Sequence, residues 1–272
     1  MGIFNNLFDI DSRDNYAITG LNKELNSLYI YNYFIKNKKN NLVITNSLYE
    51  ANDIYNRLLN YTDKVLFFPM DDFITSEVTD ISPEFVIDRL TTLNKLLGNG
   101  KYIVVTNLMG ILRYLPSIKL YKSKIIDIKK NMDIDRDNFI NKLFDLGYEK
   151  VPVVSRTGEM AIRGYVIDIF PIEFDNPIRI EFWGDTIDSI KYFDLEDQIS
   201  NTSIDSVKIY PYTEFLIDGI VDDNIIRKQK YLLNYSNSVG GLWDYVSDSV
   251  IFYYDYNQII NSYSLLRENI LE

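Results

Sequence analysis

The 272-residue chain contains neither cysteine nor histidine. The first absence excludes disulfides, thiolate metal sites and cysteine nucleophiles. The second removes the commonest general base and the commonest metal ligand. Cations are also scarce: 28 Lys+Arg stand against 39 Asp+Glu, a formal charge of −11. That balance opposes general nucleic-acid binding, which needs a basic surface, while leaving room for a local basic patch. No apolar run approaches the ~20 residues of a membrane-spanning helix. The N-terminus, MGIFNNLFDIDSRDN, lacks the basic start and apolar core of a signal peptide. The expectation is a soluble, cytoplasmic protein without a membrane partner. What the chain does have is 46% hydrophobic side chains, enough for two modest cores.

From the N-terminus the pattern alternates strand and helix. Tyr16–Gly20 reads as a short strand, Asn22–Lys36 as a helix with a broad apolar face, and Asn41–Thr45 as a strand. A helix over Ser47–Tyr61 has Ser47 and Glu50 placed for a capping box. Lys64–Phe68 is the next strand. After a polar loop, Asp71–Ser82, Pro83 opens a helix that Gly98 stops. Tyr102–Thr106 is a fourth strand and Leu108–Leu115 a short helix closed by Pro116. Unbroken apolar strands alternating with helices imply a parallel α/β sheet. Beyond about Leu120 the style changes. Ile125–Ile128 reads as a strand, Asp135–Leu146 as a helix, and a run of strands follows to Tyr210, a small α+β domain with an antiparallel sheet. A polar helix near Asp222–Leu233, a strand at Val250–Tyr254 and a helix over Gln258–Leu271 come last; the final pair resembles the first domain in style, so the small domain reads as an insertion.

Conventional catalytic chemistry is hard to assemble. A phosphate loop needs G-x-x-x-x-G-K-[ST], but Thr19-Gly20-Leu21-Asn22-Lys23-Glu24 keeps one glycine and puts a carboxylate where phosphate would sit. Asp255, after the last strand, lacks the second carboxylate of a metal-binding hydrolase motif. Asp71-Asp72, Asp222-Asp223 and Asp244 with Asp248 read as solvated loop charge. No serine has a base beside it. No catalytic, cofactor-binding or metal-binding residue is assigned.

The most organised stretch is Gly158–Asp194. It reads as three strands, Ile162–Phe170, Ile178–Trp183 and Ile187–Phe193, with a hairpin turn at Trp183-Gly184-Asp185-Thr186. Side-chain alternation puts Ile178, Ile180 and Phe182 on a core face, and Arg179, Glu181 and Trp183 on the other. By the same parity Arg163 shares a face with Tyr165.

The run GEMAIRGYVIDIFP…NPIRIEFWGDTIDSIKYFD resembles the small inserted domain shared by two bacterial excision-repair families, the UvrB helicases and the transcription-repair coupling factors. Phe68-Pro69, Ser82-Pro83-Glu84, Arg89-Leu90 and Leu146-Gly147-Tyr148-Glu149 extend the likeness over about Tyr16–Tyr256. The degenerate phosphate loop favours the second family, as its N-terminal module, over a UvrB-like helicase fragment with an unusual nucleotide site. The resemblance implies a helicase-like, degenerate P-loop NTPase domain at 1–120, an inserted UvrA-binding domain at 121–212, and a return to the first domain at 213–272. It also implies no enzymatic activity or cofactor for this stretch, and UvrA as partner through Arg163, Arg179 and Trp183; the family commonly has Phe at the last of these positions. In the full-length family member, an ATP-dependent DNA translocase, RNA polymerase, double-stranded DNA and the protein's own C-terminal region would be further partners.

Overall fold

The computed structural model describes residues 16–72, 82–218, 229 and 232–271. They form two compact units, Met1–Arg113 with Gly241–Glu272, and Tyr114–Gly240. The first unit begins with α1 (Lys23–Asn37), whose N-terminus is capped by Asn22 accepting from the Leu25 amide at 2.9 Å. Tyr16–Gly20, expected as a strand, is irregular and exposed. An extended segment becomes a strand only beside a partner, and among the described residues no strand pairs with it. β1 (Asn40–Thr45) leads to α2 (Leu48–Leu59), which carries the expected capping box: Glu50 N–H donates to the Ser47 hydroxyl, and Ser47 N–H donates back to the Glu50 carboxylate. β2 (Val65–Phe68), α3 (Pro83–Leu96, with Pro83 at its first turn), β3 (Ile103–Asn107) and α4 (Leu108–Ile111) follow. α4 is shorter than expected. Leu115 precedes a proline, which disfavours helical backbone there, and the residue enters a strand instead.

The second unit opens with that strand, β4 (Leu115–Pro116), then α5 (Ile118–Lys124), β5 (Ile126–Lys129) and α6 (Arg136–Asp145). α6 is capped by Asp135, which accepts from Asn138 N–H at 2.6 Å. Then come β6 (Glu149–Lys150), β7 (Glu159–Arg163), β8 (Val166–Ile169), β9 (Ile178–Trp183), β10 (Thr186–Phe193), β11 (Ser200–Ser203), β12 (Ser206–Ile209), α7 (Leu232–Tyr235) and β13 (Val239–Gly240). Most of the expected helix at Asp222–Leu233 lies outside the described residues. β6 to β11 form one sheet in the order β11-β10-β9-β8-β7-β6, antiparallel except for β6–β7. β5 and β12 pair antiparallel as a separate ribbon. One face of the sheet is packed: Ile167, Ile169, Ile178, Ile180, Phe182, Ile187 and Ile190 meet Phe139 and Leu143 of α6 and Ile128, Val207 and Ile209 of the ribbon.

One expectation fails in this sheet, and it matters for the site. Ile162–Phe170 is not a single strand. The chain reverses at Gly164-Tyr165, so that Arg163 pairs with Val166. Gly164 has φ +56°, the left-handed backbone that glycine enters without penalty; Gly184 does the same, φ +61°, between β9 and β10. Both are two-residue hairpins with a positive first φ, the sign of a type II′ turn. A third glycine is constrained by space. Gly158 has φ +91°, and a Cβ there would lie 2.1 Å from Cε1 of Tyr212. Gly158→Ala is expected to destabilise the chain by about 2–3 kcal/mol, measured by urea denaturation.

The chain then rejoins the first unit through α8 (Leu242–Tyr245), β14 (Ser249–Tyr253) and α9 (Tyr256–Leu271). β14 lies parallel beside β1, giving an all-parallel sheet in the order β14-β1-β3-β2. Val43, Phe67 and Val105 point to one face, against Ile30, Phe34, Ile54 and Leu58 of α1 and α2. Leu42, Ile44, Leu66, Phe68 and Val104 alternate with them and are equally buried. Burial on both faces explains the unbroken apolar strands. Among the described residues, no helix is long and apolar enough to cross a membrane.

Candidate functional site

On the second unit's sheet, the face opposite the α6 core carries the polar residues of the central strands. β9 alternates as expected: Ile178, Ile180 and Phe182 are buried, while Arg179 and Glu181 are partly covered and Trp183 is 83% exposed. Register puts Asp168 of β8 directly across from Arg179, and Ala161 of β7 on its other side. Asp168 is 1% exposed. Its carboxylate receives a two-pronged contact from Arg179: Nε donates to Oδ1 at 2.7 Å, and Nη2 to Oδ2 at 2.9 Å. The same Oδ2 accepts from Arg163 Nη2 at 3.1 Å.

The two arginines are held very differently. Arg179 also donates Nη1 to the Gln198 carbonyl at 3.1 Å, and its guanidinium lies 4.7 Å from the ring centroid of buried Phe193. Its side chain is 17% exposed. The hydrogen bond to Asp168 raises its pKa further above the ordinary arginine value. Arg163 ends β7 with its side chain half exposed, making that one contact to Asp168. Glu181 does not pair with Arg179. It accepts from Lys191 Nζ at 2.8 Å and from the Ser189 hydroxyl, and these bonds, Lys191 first, hold its carboxyl below the usual range. Asp168 with two guanidiniums leaves one positive charge over; Glu181 with Lys191 leaves none.

The corrected hairpin changes where Arg163 points. It shares a face with Asp168 and Arg179 because the chain reverses after it. Tyr165 sits in the turn, 64% exposed, and its carbonyl accepts from Phe182 N–H at 2.9 Å. Both glycine turns therefore lie at the same end of the sheet, presenting Arg163, Tyr165 and Trp183 together. Asp168 was absent from the residues expected to matter. The signal for it was a lone carboxylate in Val166-Ile167-Asp168-Ile169, on the face opposite two isoleucines.

Four of the other acidic residues singled out in the sequence have structural partners. Asp72 accepts from Leu48 N–H at 2.8 Å at the start of α2 and from Asn107 Nδ2 at 2.8 Å. Asp244 accepts from Gly241 N–H, Asp248 pairs with Lys39 at 2.8 Å, and Asp255 accepts from Gln258 N–H at the start of α9. Asp222-Asp223 lies outside the described residues. At the glycine of the phosphate-loop comparison, Lys23 Nζ donates to Asp53 at 3.1 Å and Arg57 contacts Glu24. Among the described residues no cluster of three or more carboxylates could hold a metal ion.

Residues 126–215 match the family described as the UvrB interaction domain. Over most of its length the chain is also similar to proteins named transcription-repair-coupling factor. It is 36% identical over 231 residues to that of Staphylococcus haemolyticus, covering 84% of this chain and 19% of the relative. For Staphylococcus epidermidis the identity is 33% over 235 residues, 86% and 20% respectively, and for Staphylococcus aureus 33% over 229 residues, 84% and 19%. The chain thus spans about a fifth of the length of the relatives it matches. With a UvrB interaction domain inside a stretch that follows these repair factors across more than four-fifths of the chain, it belongs to the transcription-repair coupling factor family as a UvrB-homology module.

Proposed function

We propose that this module recruits the excision-repair protein UvrA through the sheet end that presents Arg163 and Trp183, with Arg179 behind them. The observation that carries the reading is Trp183 at 83% exposure beside a half-exposed arginine, within the segment that matches the UvrB interaction domain. An exposed tryptophan this size gains by burial against a partner, and Arg and Trp are the side chains most enriched among interface hot spots. In a protein of charge −11, the surplus cation of the Asp168–Arg163–Arg179 cluster favours a partner carboxylate, met by charge-assisted hydrogen bonds. The module acts without catalysis. Its first and last stretches are a helicase-like domain whose nucleotide site is lost, and the segment between them is the UvrA-binding insertion. The whole protein is an ATP-dependent translocase on double-stranded DNA that displaces stalled RNA polymerase, and its C-terminal region masks the docking face at rest. Co-purification of the wild-type chain with UvrA is the expected outcome; its absence at micromolar concentrations would remove the reading.

The opposing reading, a UvrB-like ATPase, is disfavoured by the ion pair of Lys23 with Asp53 and by the irregular backbone before α1, where a phosphate loop needs a strand. Saturating ATP with Mg²⁺ should leave the melting temperature unchanged. A ligand at 100 times its Kd would stabilise the chain by about 2.7 kcal/mol, so a shift abolished by Lys23→Ala would reinstate the ATPase reading.

A further inference from the structure

We infer that Asp168 is the positioning residue of the docking face, and that Arg179 is a fixed platform while Arg163 is the arginine a partner engages. This rests on the docking reading above and assigns the parts within it. Asp168 is 1% exposed and cannot reach a partner; whatever it does, it does through the arginines. Arg179 commits all three of its nitrogens internally, Nε and Nη2 to Asp168 and Nη1 to the Gln198 carbonyl and the Ser200 hydroxyl, and one flat face is covered by Phe193. A partner carboxylate approaching Arg179 would compete with a two-pronged contact that is already desolvated. Arg163 commits one N–H, to an oxygen that Arg179 Nη2 also occupies at 2.9 Å. The other four N–H groups of Arg163 make no hydrogen bond among the described residues. The surplus charge therefore resides on the exposed guanidinium. When a partner carboxylate takes it, Asp168 stays neutralised by Arg179, so the buried acid is never stranded. Glu181 is occupied by Lys191 and Ser189, and Glu159 by Arg156 and Ser155, so neither draws Arg163 away.

The test is Asp168→Asn in the whole chain, which keeps shape and removes charge. In the free protein, the Arg179 Nε–H resonance in a proton–nitrogen NMR spectrum should lose its downfield position and its protection from solvent exchange. In titrations with purified UvrA, affinity should fall at least tenfold. Arg163→Ala, costing about tenfold in the wild-type background, should cost threefold or less beside Asp168→Asn, while Trp183→Ala costs the same in both. A merely structural role would weaken the contributions of Arg163 and Trp183 alike. Wild-type affinity for Asp168→Asn, or an undiminished effect of Arg163→Ala, overturns the proposal. Should Asp168→Asn fail to fold, Arg179→Lys keeps a charge but loses the two-pronged contact; an unchanged Arg163→Ala effect in that background overturns the proposal equally. If the wild-type chain does not bind UvrA at all, the docking reading has failed, and the Nε–H signal of the free chain still reports whether Asp168 clamps Arg179.

Discussion

Trp183→Ala is expected to weaken UvrA binding about 30-fold, and Arg163→Ala about tenfold, with the melting temperature of the chain unchanged in both. The first figure follows from truncating a large aromatic hot spot, about 2 kcal/mol at 1.4 kcal/mol per decade. The absence of a stability effect follows from geometry. Trp183 is 83% exposed at a turn whose shape depends on Gly184, and it closes no core cavity on removal. Arg163 makes one contact from a half-exposed side chain, and exposed ion pairs contribute roughly 0–1 kcal/mol. Calorimetric titration with UvrA and thermal melts of the free variants check both halves. A large loss of stability in either variant would mean that the side chain is part of the fold, contrary to its place at the sheet end.

Arg179→Ala should behave in the opposite way, costing about 3 kcal/mol of folding stability. Breaking a buried ion pair by removing one partner leaves a charge without compensation, typically 3–5 kcal/mol. Here Arg163 retains one bond to Asp168, which places the loss at the lower end. The substitution also uncovers Phe193 and strips the Gln198 carbonyl of its donor. Urea denaturation of the free chain measures it. A loss below 1 kcal/mol would show that Asp168 is satisfied without Arg179, and the division between platform and contact would not hold. In sequence each arginine follows an isoleucine, and the next residue separates them: Gly164 after Arg163, Ile180 after Arg179. Their difference comes entirely from position along the strand: Arg179 is in mid-strand under Phe193, and Arg163 is at the last residue before a turn.

How much of this could be read beforehand varies by element. The parity of Ile178–Trp183 was legible because a sheet with one packed face enforces alternation over six residues. The Ser47–Glu50 capping box was legible because the interaction is local. The parallel strands β1, β2 and β3 were legible because burial on both faces makes residues 42–44, 65–68 and 103–105 unbroken apolar runs. The hairpin at Gly164 was missed: a single glycine in a run of β-branched residues reads as a weak spot in one strand, and only its φ of +56° marks a reversal. That miss hid Asp168, since its pairing with both arginines depends on the β7–β8–β9 register. The pairing of β5 with β12, such as Ile128 beside Val207, was equally out of reach, because no local pattern links segments so far apart. Tyr16–Gly20 shows the converse failure, a strand-like composition that pairs with no strand among the described residues.

The most direct test of the docking account is a calorimetric titration of UvrA with the wild-type chain and with the Arg163→Ala, Trp183→Ala double variant. The expected result is saturable binding by the wild type, a loss of affinity of about 100-fold or more in the double variant, and superimposable thermal melts for the two free proteins. Binding by the double variant within threefold of wild type would contradict the account and place the UvrA contact elsewhere on the chain.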